Sequence, residues 1–466
     1  MLFAKKFTPP LRLPVRASLW YVGTSVVTKS VGFLATPIFT RALTEEEYGV
    51  FSLYVSVLGV VSILVSVLTS GSTVYIGLGK FTDNIRDFYR SLICSALAFS
   101  VVICALLFVF SPILKLNFVF CLLILFQVSF DAFVGIYLSA LRFSYLYKGV
   151  AALGIFEAIA APLAAVFLIT LGVNGALARI ISLLSVSLIA AIYALSKLLK
   201  KGGRARLEMI KYAFRESLPL LPHTASSAVT SSADKFVITA VSGAAALAKY
   251  SVVHSVSAAL SFIVSAIGSA LTPWILRHSK KEDEGRVGNV LLLLFRILAM
   301  LTLFLLAVIP EAVKILAPPE YSEATVAALP IALSTLPAFL TSISTIGITH
   351  SGNSRHSVRI ALISACINIL LNFLLIPHFG FLGAGSSLLV SQSVGAVLAV
   401  LYLKKCGKSY FTEMGKIVSC LLVTLFFGLL IFICKDFPAL RVLLLIFPAI
   451  IALNSLFAAR GYVTEA

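Results

Sequence analysis

Residues 149–198 read GVAALGIFEAIAAPLAAVFLITLGVNGALARIISLLSVSLIAAIYALSKL. Two apolar runs, starting near Gly149 and Gly175, flank the turn Leu171-Gly-Val-Asn-Gly175. Glu157 is the one charge in the first run, and Arg179 the one charge inside the second. A helix crossing about 30 Å of hydrocarbon needs about 20 mostly apolar residues, and both runs reach that length. Barrel strands are only about 9–11 residues long, so the stretch predicts two antiparallel membrane helices.

The same reading extends along all 466 residues, of which 60% are hydrophobic and only 12% charged, with mean hydropathy +1.04. Soluble domains hold about 25% charged residues, so lipid must cover much of this chain. Fourteen runs start near Ser18, Val50, Ser91, Asn117, Gly149, Gly175, Ser217, Lys249, Gly288, Ala324, Val358, Gly383, Lys416 and Val442. The expected fold is all-α and membrane-integral.

The net charge of +18 is concentrated between the runs. With the N-terminus in the cytoplasm, cytoplasmic segments hold 27 Lys and Arg against 6 on the other side. That bias places both termini in the cytoplasm by the positive-inside rule. Topology therefore accounts for the charge, and nucleic acid is not an expected partner. The basic N-terminus lacks the apolar core and cleavage site of a signal peptide and reads as a cytoplasmic tail, residues 1–17. The seven cysteines show neither CxxC nor metal-ligand spacing and read as small packing residues.

The turn in the opening stretch recurs. LGVNGALARIISLLSV (171–186) matches FGFLGAGSSLLVSQSV (379–394), and EEEYGVFSLYVSVL places Tyr48 where ALAKYSVVHSVSAAL places Tyr250. The two offsets are 208 and 202 residues. The expected organisation is an N-lobe over 18–196, a basic linker over 197–216, a C-lobe over 217–403 and two extra helices over 404–466. Two parallel six-helix repeats would flank a central cavity. Within the linker, Leu207, Ile210 and Phe214 have helical spacing among arginines and lysines. That pattern fits either an interfacial helix on an anionic leaflet or an unstructured basic segment.

Seven ionisable residues fall inside the runs: Lys29, Asp131, Glu157, Arg179, Asp234, Lys235 and Arg296. Each costs about 2.5–3.5 kcal/mol at a helix centre, so each needs a polar cavity or a partner. Asp131, Glu157 and Arg179 can satisfy one another, and Asp234 can pair with Lys235. The first run carries a polar stripe of Tyr21, Ser25, Thr28 and Gly32 beside Lys29. The seventh carries His223, Ser227, Thr230, Ser231 and Asp234 beside Lys235. Two equivalent helices, each with a lysine, suit the walls of a cavity for an anionic group such as a diphosphate. The carboxylates suit proton or sodium coupling. His254, His350, His356 and His378 lie near helix ends without partners at ligand spacing. No nucleotide-binding loop, nucleophile elbow or metalloprotease motif occurs, and no cofactor is expected.

Three segments now carry a resemblance: VGFLATPIFTRALTEEEYGVFSLY (31–54), SLPLLPHTASSAVTSSADKFVITAVSGAAALAKYSVV (217–253) and NFLLIPHFGFLGAGSSLLVSQ (372–392). In this order the chain resembles the polysaccharide transporters. These are the O-antigen and capsule flippases of the multidrug/oligosaccharidyl-lipid/polysaccharide superfamily. The resemblance implies a two-lobed inner-membrane flippase, not an enzyme, that moves an undecaprenyl-diphosphate-linked oligosaccharide by alternating access. It also implies a polysaccharide polymerase and a chain-length regulator as partners. The matching motif residues are Pro37, Arg41, Glu47, Tyr48, Gly49, Pro219, Asp234, Lys235 and Tyr250. The expected substrate contacts are Lys29, Lys235, Arg41, Arg296, Ser25, Thr28, Ser227 and Thr230. Asp131, Glu157, Arg179 and Asp234 are the candidates for coupling or internal salt bridges. Two alternatives stay open: an ion-coupled multidrug exporter of the same superfamily, and a polytopic O-antigen polymerase or ligase. Short external segments argue against the latter.

Overall fold

The computed structural model describes residues 12–69, 72–112, 116–200, 202–277 and 284–463. The first eleven residues of the expected cytoplasmic tail lie outside them. The described residues contain no strand. The chain divides into two compact units, Met1–Ser232 and Ala233–Ala466. The division falls inside the seventh apolar run, fifteen residues beyond its expected start at Ser217.

The first unit contains α1 (Arg12–Ala42), α2 (Glu45–Thr69), α3 (Ser72–Lys80), α4 (Ile85–Phe110) and α5 (Phe118–Phe143). It continues through α6 (Tyr147–Thr170), α7 (Gly175–Leu198), α8 (Leu207–Ser217) and α9 (Leu221–Thr230). The opening stretch shows why its two helices are separate. At the end of α6, Gly172 takes φ +83°, and Gly172 N–H and Val173 N–H bond Ile169 O at 2.9 Å and Leu168 O at 3.2 Å. This is the glycine C-cap that satisfies otherwise orphaned carbonyls. Asn174 then accepts from Leu177 N–H at 3.3 Å and starts α7.

The second unit contains α10 (Ala233–Ser257), α11 (Leu260–Arg277), α12 (Glu284–Leu316), α13 (Ala328–His350), α14 (Ser354–Lys405), α15 (Met414–Ile433) and α16 (Pro438–Val463). Two of these are folded back on themselves. A continuous 52-residue α14 would extend about 78 Å, far beyond a bilayer. At Gly380, φ is +54° and ψ −128°, a conformation that favours glycine. Asn368 and Ser391, about 34 Å apart in a straight helix, hydrogen-bond at 3.3 Å. α14 is therefore an antiparallel hairpin with its tip at Gly380. Gly243 (φ +84°) does the same in α10, where Asp234 and Tyr250 meet at 2.5 Å.

Among the described residues, eleven helices are long and apolar enough to cross a membrane. The hairpin in α14 supplies two arms within one of them. The main core of the second unit is built from Leu291, Phe295, Leu298, Leu336, Phe339, Ile343, Ala399 and Leu403 on α12, α13 and the second arm of α14. Tyr410 and Phe411, from the segment before α15, are buried in it. Large apolar side chains such as Leu163, Phe167, Phe373, Leu422 and Val442 stay exposed on helix faces, as lipid-facing residues must.

The described residues of the linker are tied to α4. Asp87 on α4 accepts from Arg204 N–H at 2.9 Å and pairs with Arg206 Nε at 2.5 Å, while Arg90 donates to Gly203 O at 2.6 Å. Met209 and Ala213 on α8 are buried, and Phe214 packs edge-on against Phe99 at 6.0 Å. Of the two readings of this segment, the helix is present. Part of its apolar face is covered by protein, because α4 supplies both a carboxylate and an aromatic surface.

Candidate transport site

The polar groups of the first unit fall into four places. On α1, Thr24 and Thr28 border the position of Gly154 on α6, where an added Cβ would lie 3.6 Å and 3.9 Å from their methyls. The expected stripe is thus divided. Thr28 packs toward α6 and donates to Ser25 O at 3.1 Å, whereas Ser25, Lys29 and Gly32 are exposed. At the other end of α1, Arg41 is exposed and donates to Pro37 O at 3.1 Å.

The second place is on α5–α7. Asp131 Oδ1 accepts from Gln127 Nε2 and Ser187 Oγ, both at 3.0 Å, and Gln127 Nε2 also donates to Ser187 at 2.6 Å. Glu157 on α6 lies near enough to Asp131 for the two carboxylates to interact electrostatically. No hydrogen bond or ion pair to Glu157 occurs among the described residues. Gln127 and Ser187 were not singled out by sequence reasoning. A lone glutamine or serine in an apolar helix becomes visible only when the partner helix is known.

The third place corrects an expectation. Arg179 does not satisfy Asp131 and Glu157. Its guanidinium lies 3.9 Å from the Phe39 ring centre and 3.8 Å from that of Phe51, next to the Tyr48 hydroxyl. Cation–π contacts replace the expected carboxylates, because α7 begins against the α1–α2 turn. That turn is tied down by Glu47. Its carboxylate accepts from Thr44 N–H at 3.0 Å, while Thr44 Oγ1 accepts from Glu47 N–H at 3.2 Å. This reciprocal pair is a capping box. The other Glu47 oxygen accepts from Asn174 Nδ2 at 2.7 Å and Gly175 N–H at 3.2 Å.

On α9, Ser227 is exposed and donates to Thr224 O at 2.8 Å, and Thr230 donates to Ser226 O at 2.9 Å. The helix stops there, and Ser231 and Ser232 form a turn before α10. The seventh apolar run is therefore a discontinuous helix.

In the second unit Asp234 does not take Lys235 as its ionic partner. Its Oδ1 accepts from the Lys235 backbone N–H at 2.9 Å, and its Oδ2 accepts from Tyr250 Oη at 2.5 Å. His254 Nε2 lies 3.9 Å from Oδ2. His254, expected near a helix end without a partner, is brought beside Asp234 by the fold at Gly243. Lys235 is half-buried, as is Arg296, which lies beside Cys420. Asn372 donates to Asn368 Oδ1 at 3.1 Å, and Asn368 to Ser391, so a buried polar trio joins the arms of α14. The Asn-x-x-x-Asn spacing in an apolar run was a signal for this trio. Arg441, one residue before the expected start of the last run at Val442, is buried in α16, where it pairs with Glu311 and donates to Ala307 O on α12.

The family of polysaccharide biosynthesis proteins matches residues 15–279, more than half of the chain. The chain belongs to that family. No curated protein matches it. Among solved structures it is similar to the lipid II flippase MurJ in an inward closed conformation, with TM-score 0.70 and 13% identity over 96% of this chain and 99% of that one. An inward-facing multidrug resistance MATE transporter of the MOP superfamily gives TM-score 0.63 and 12% identity, covering 81% and 94%. A mutant of the Vibrio cholerae MATE transporter VcmN gives 0.59 and 13%, covering 86% and 98%. These likenesses show the fold. Within the family match lie both the Glu47 capping box and the Asp234–Tyr250 bond, so several motif residues have structural roles.

Proposed function

We propose that this protein is a flippase for an oligosaccharide carried on undecaprenyl diphosphate, moving it from the cytoplasmic to the outer leaflet of the cell inner membrane. The observation that carries this reading is membership of the polysaccharide biosynthesis family in a chain with the flippase and transporter fold. Fourteen crossings, two six-helix repeats and cytoplasmic termini belong to the same proposal. A polymerase and a chain-length regulator receive the product. Lys29 and Lys235 serve as cationic contacts for the diphosphate, with Arg41, Arg296, Ser25, Thr28, Ser227 and Thr230 lining its path. An ammonium in low dielectric bonds a phosphate oxygen strongly.

Coupling is assigned to the first unit. Asp131 is held by two donors, whereas Glu157 lies near a second carboxylate without a donor of its own. Glu157 is accordingly the group that exchanges a cation during the cycle. Asp234, engaged by Tyr250, is a structural carboxylate in this reading.

Purified protein in liposomes tests the proposal with a fluorescent undecaprenyl-diphosphate saccharide and a membrane-impermeant quencher. Flipping is expected, with loss in Lys29→Ala and Lys235→Ala and milder loss in the arginine variants. A proton or sodium gradient should accelerate the parent but not Glu157→Gln. Transport of a cationic dye without any flipping would establish the exporter reading instead.

A further inference from the structure

One end of the second unit gathers exposed positive charge on the two arms of α14. α14 begins at Ser354 and its second arm returns to Lys405, and the hairpin at Gly380 brings these ends together. Asn353 Nδ2 lies 3.5 Å from Cys406 Sγ, and the His356 and Tyr402 rings stack at 4.6 Å, 23° from parallel. Lys405 Nζ lies over the same tyrosine ring at 5.4 Å. Arg355 and Arg359 are successive turns of the first arm, and Lys404 precedes Lys405 on the second. All four cations are exposed, and none has a carboxylate partner among the described residues.

No acidic residue occurs between Glu323 and Glu413, and Glu413 is paired with Lys416. Orientation in the membrane does not require this. The positive-inside rule counts lysine and arginine, with little weight for acids. The segment from Arg277 to Arg286 shows the difference, since its four cations stand among Glu282, Asp283 and Glu284. The four cations count toward orientation, but orientation does not require them to stand without a carboxylate partner on both arms. His356 adds a buried Nδ1 with no hydrogen-bond partner.

We propose that the paired ends of α14 form a loading site for the diphosphate head of a polyprenyl lipid, engaged before it enters the transport path. The inference rests on the flippase reading and assigns the residues that first capture its substrate. Two cations on each arm match a head group with two phosphates better than a singly charged phospholipid. Long side chains at helix ends reach the leaflet surface where such heads lie. Four exposed cations on adjoining helix ends concentrate multivalent anions there.

The test uses full-length protein in phosphatidylcholine nanodiscs. Binding of undecaprenyl diphosphate, undecaprenol and phosphatidylglycerol is measured by native mass spectrometry. The parent should bind the diphosphate at least tenfold more tightly than either other lipid. The combined variant Arg355→Gln, Arg359→Gln, Lys404→Gln and Lys405→Gln should lose at least tenfold for the diphosphate alone. Lys211→Gln with Arg215→Gln, on exposed α8 positions, should lose less than threefold. Equal loss in both variants would reduce the site to bulk charge and overturn the proposal. Phosphatidylglycerol binding as tight as the diphosphate would overturn it too. Unchanged diphosphate binding by the combined variant would refute the loading site while leaving the flippase reading intact. A parent that ignores the diphosphate would refute both. Monodisperse elution of each variant shows that it is folded.

Discussion

Tyr250 donates its hydroxyl hydrogen to the Asp234 carboxylate at 2.5 Å, although a straight helix would hold the two residues about 24 Å apart. The bond exists because Gly243 reverses the chain between them. Both residues are buried, at 0% and 4% exposure. Removing the donor leaves a carboxylate with only the Lys235 amide and a distant imidazole. Tyr250→Phe is expected to destabilise the protein by about 1–2 kcal/mol, read as a lower melting temperature in detergent. An unchanged melting temperature would show that the motif tyrosine is not needed for stability.

Glu47 closes a capping box on α2 and binds the first turn of α7 with its second oxygen. Glu47→Ala should cost about 1–3 kcal/mol. Asn174→Ala should cost less than Glu47→Ala, since the Gly175 and Thr44 amides would keep their carboxylate. Comparing chemical unfolding midpoints of the two variants checks the order.

The Arg441–Glu311 pair joins α16 to α12 with the arginine at 2% exposure. Removing one partner from a buried pair costs about 3–5 kcal/mol. Because Glu311 is itself partly exposed, with 43% of its side chain accessible, the lower end is expected for Glu311→Gln. Protease accessibility of the C-terminal helices should increase in that variant and in Arg441→Ala. Exchange of both residues for apolar ones, Arg441→Leu with Glu311→Leu, should restore protection.

The charge bias assigns the segment of Gly202 to the cytoplasm and that of Gly380 to the outside, so the two positions are expected on opposite sides of the membrane. Reporter fusions after Phe381 should give an external signal, and fusions after Gly202 an internal one. The same side for both would overturn the helix count between them. Gly380→Val should impair accumulation, because a branched residue at φ +54° is strained.

The membrane-helical class was legible in residues 149–198 alone, since hydrophobic length and turn residues act locally. Gly172, Asn174, Thr44 and Glu47 end or start helices through bonds spanning a few residues, and such signals survive in sequence. The charge bias is equally local to each segment. The partners of the buried charges are not. Arg179 has no nearby mark that it will lie between Phe39 and Phe51 rather than beside Asp131. Asp234 stands next to Lys235 in sequence yet takes its hydrogen bond from Tyr250. Those choices depend on where Gly243 and the helix packing bring segments far apart in the chain. In an apolar medium, a buried charge is satisfied by whichever group the packed helices place within about 3–4 Å, and only the tertiary structure decides that.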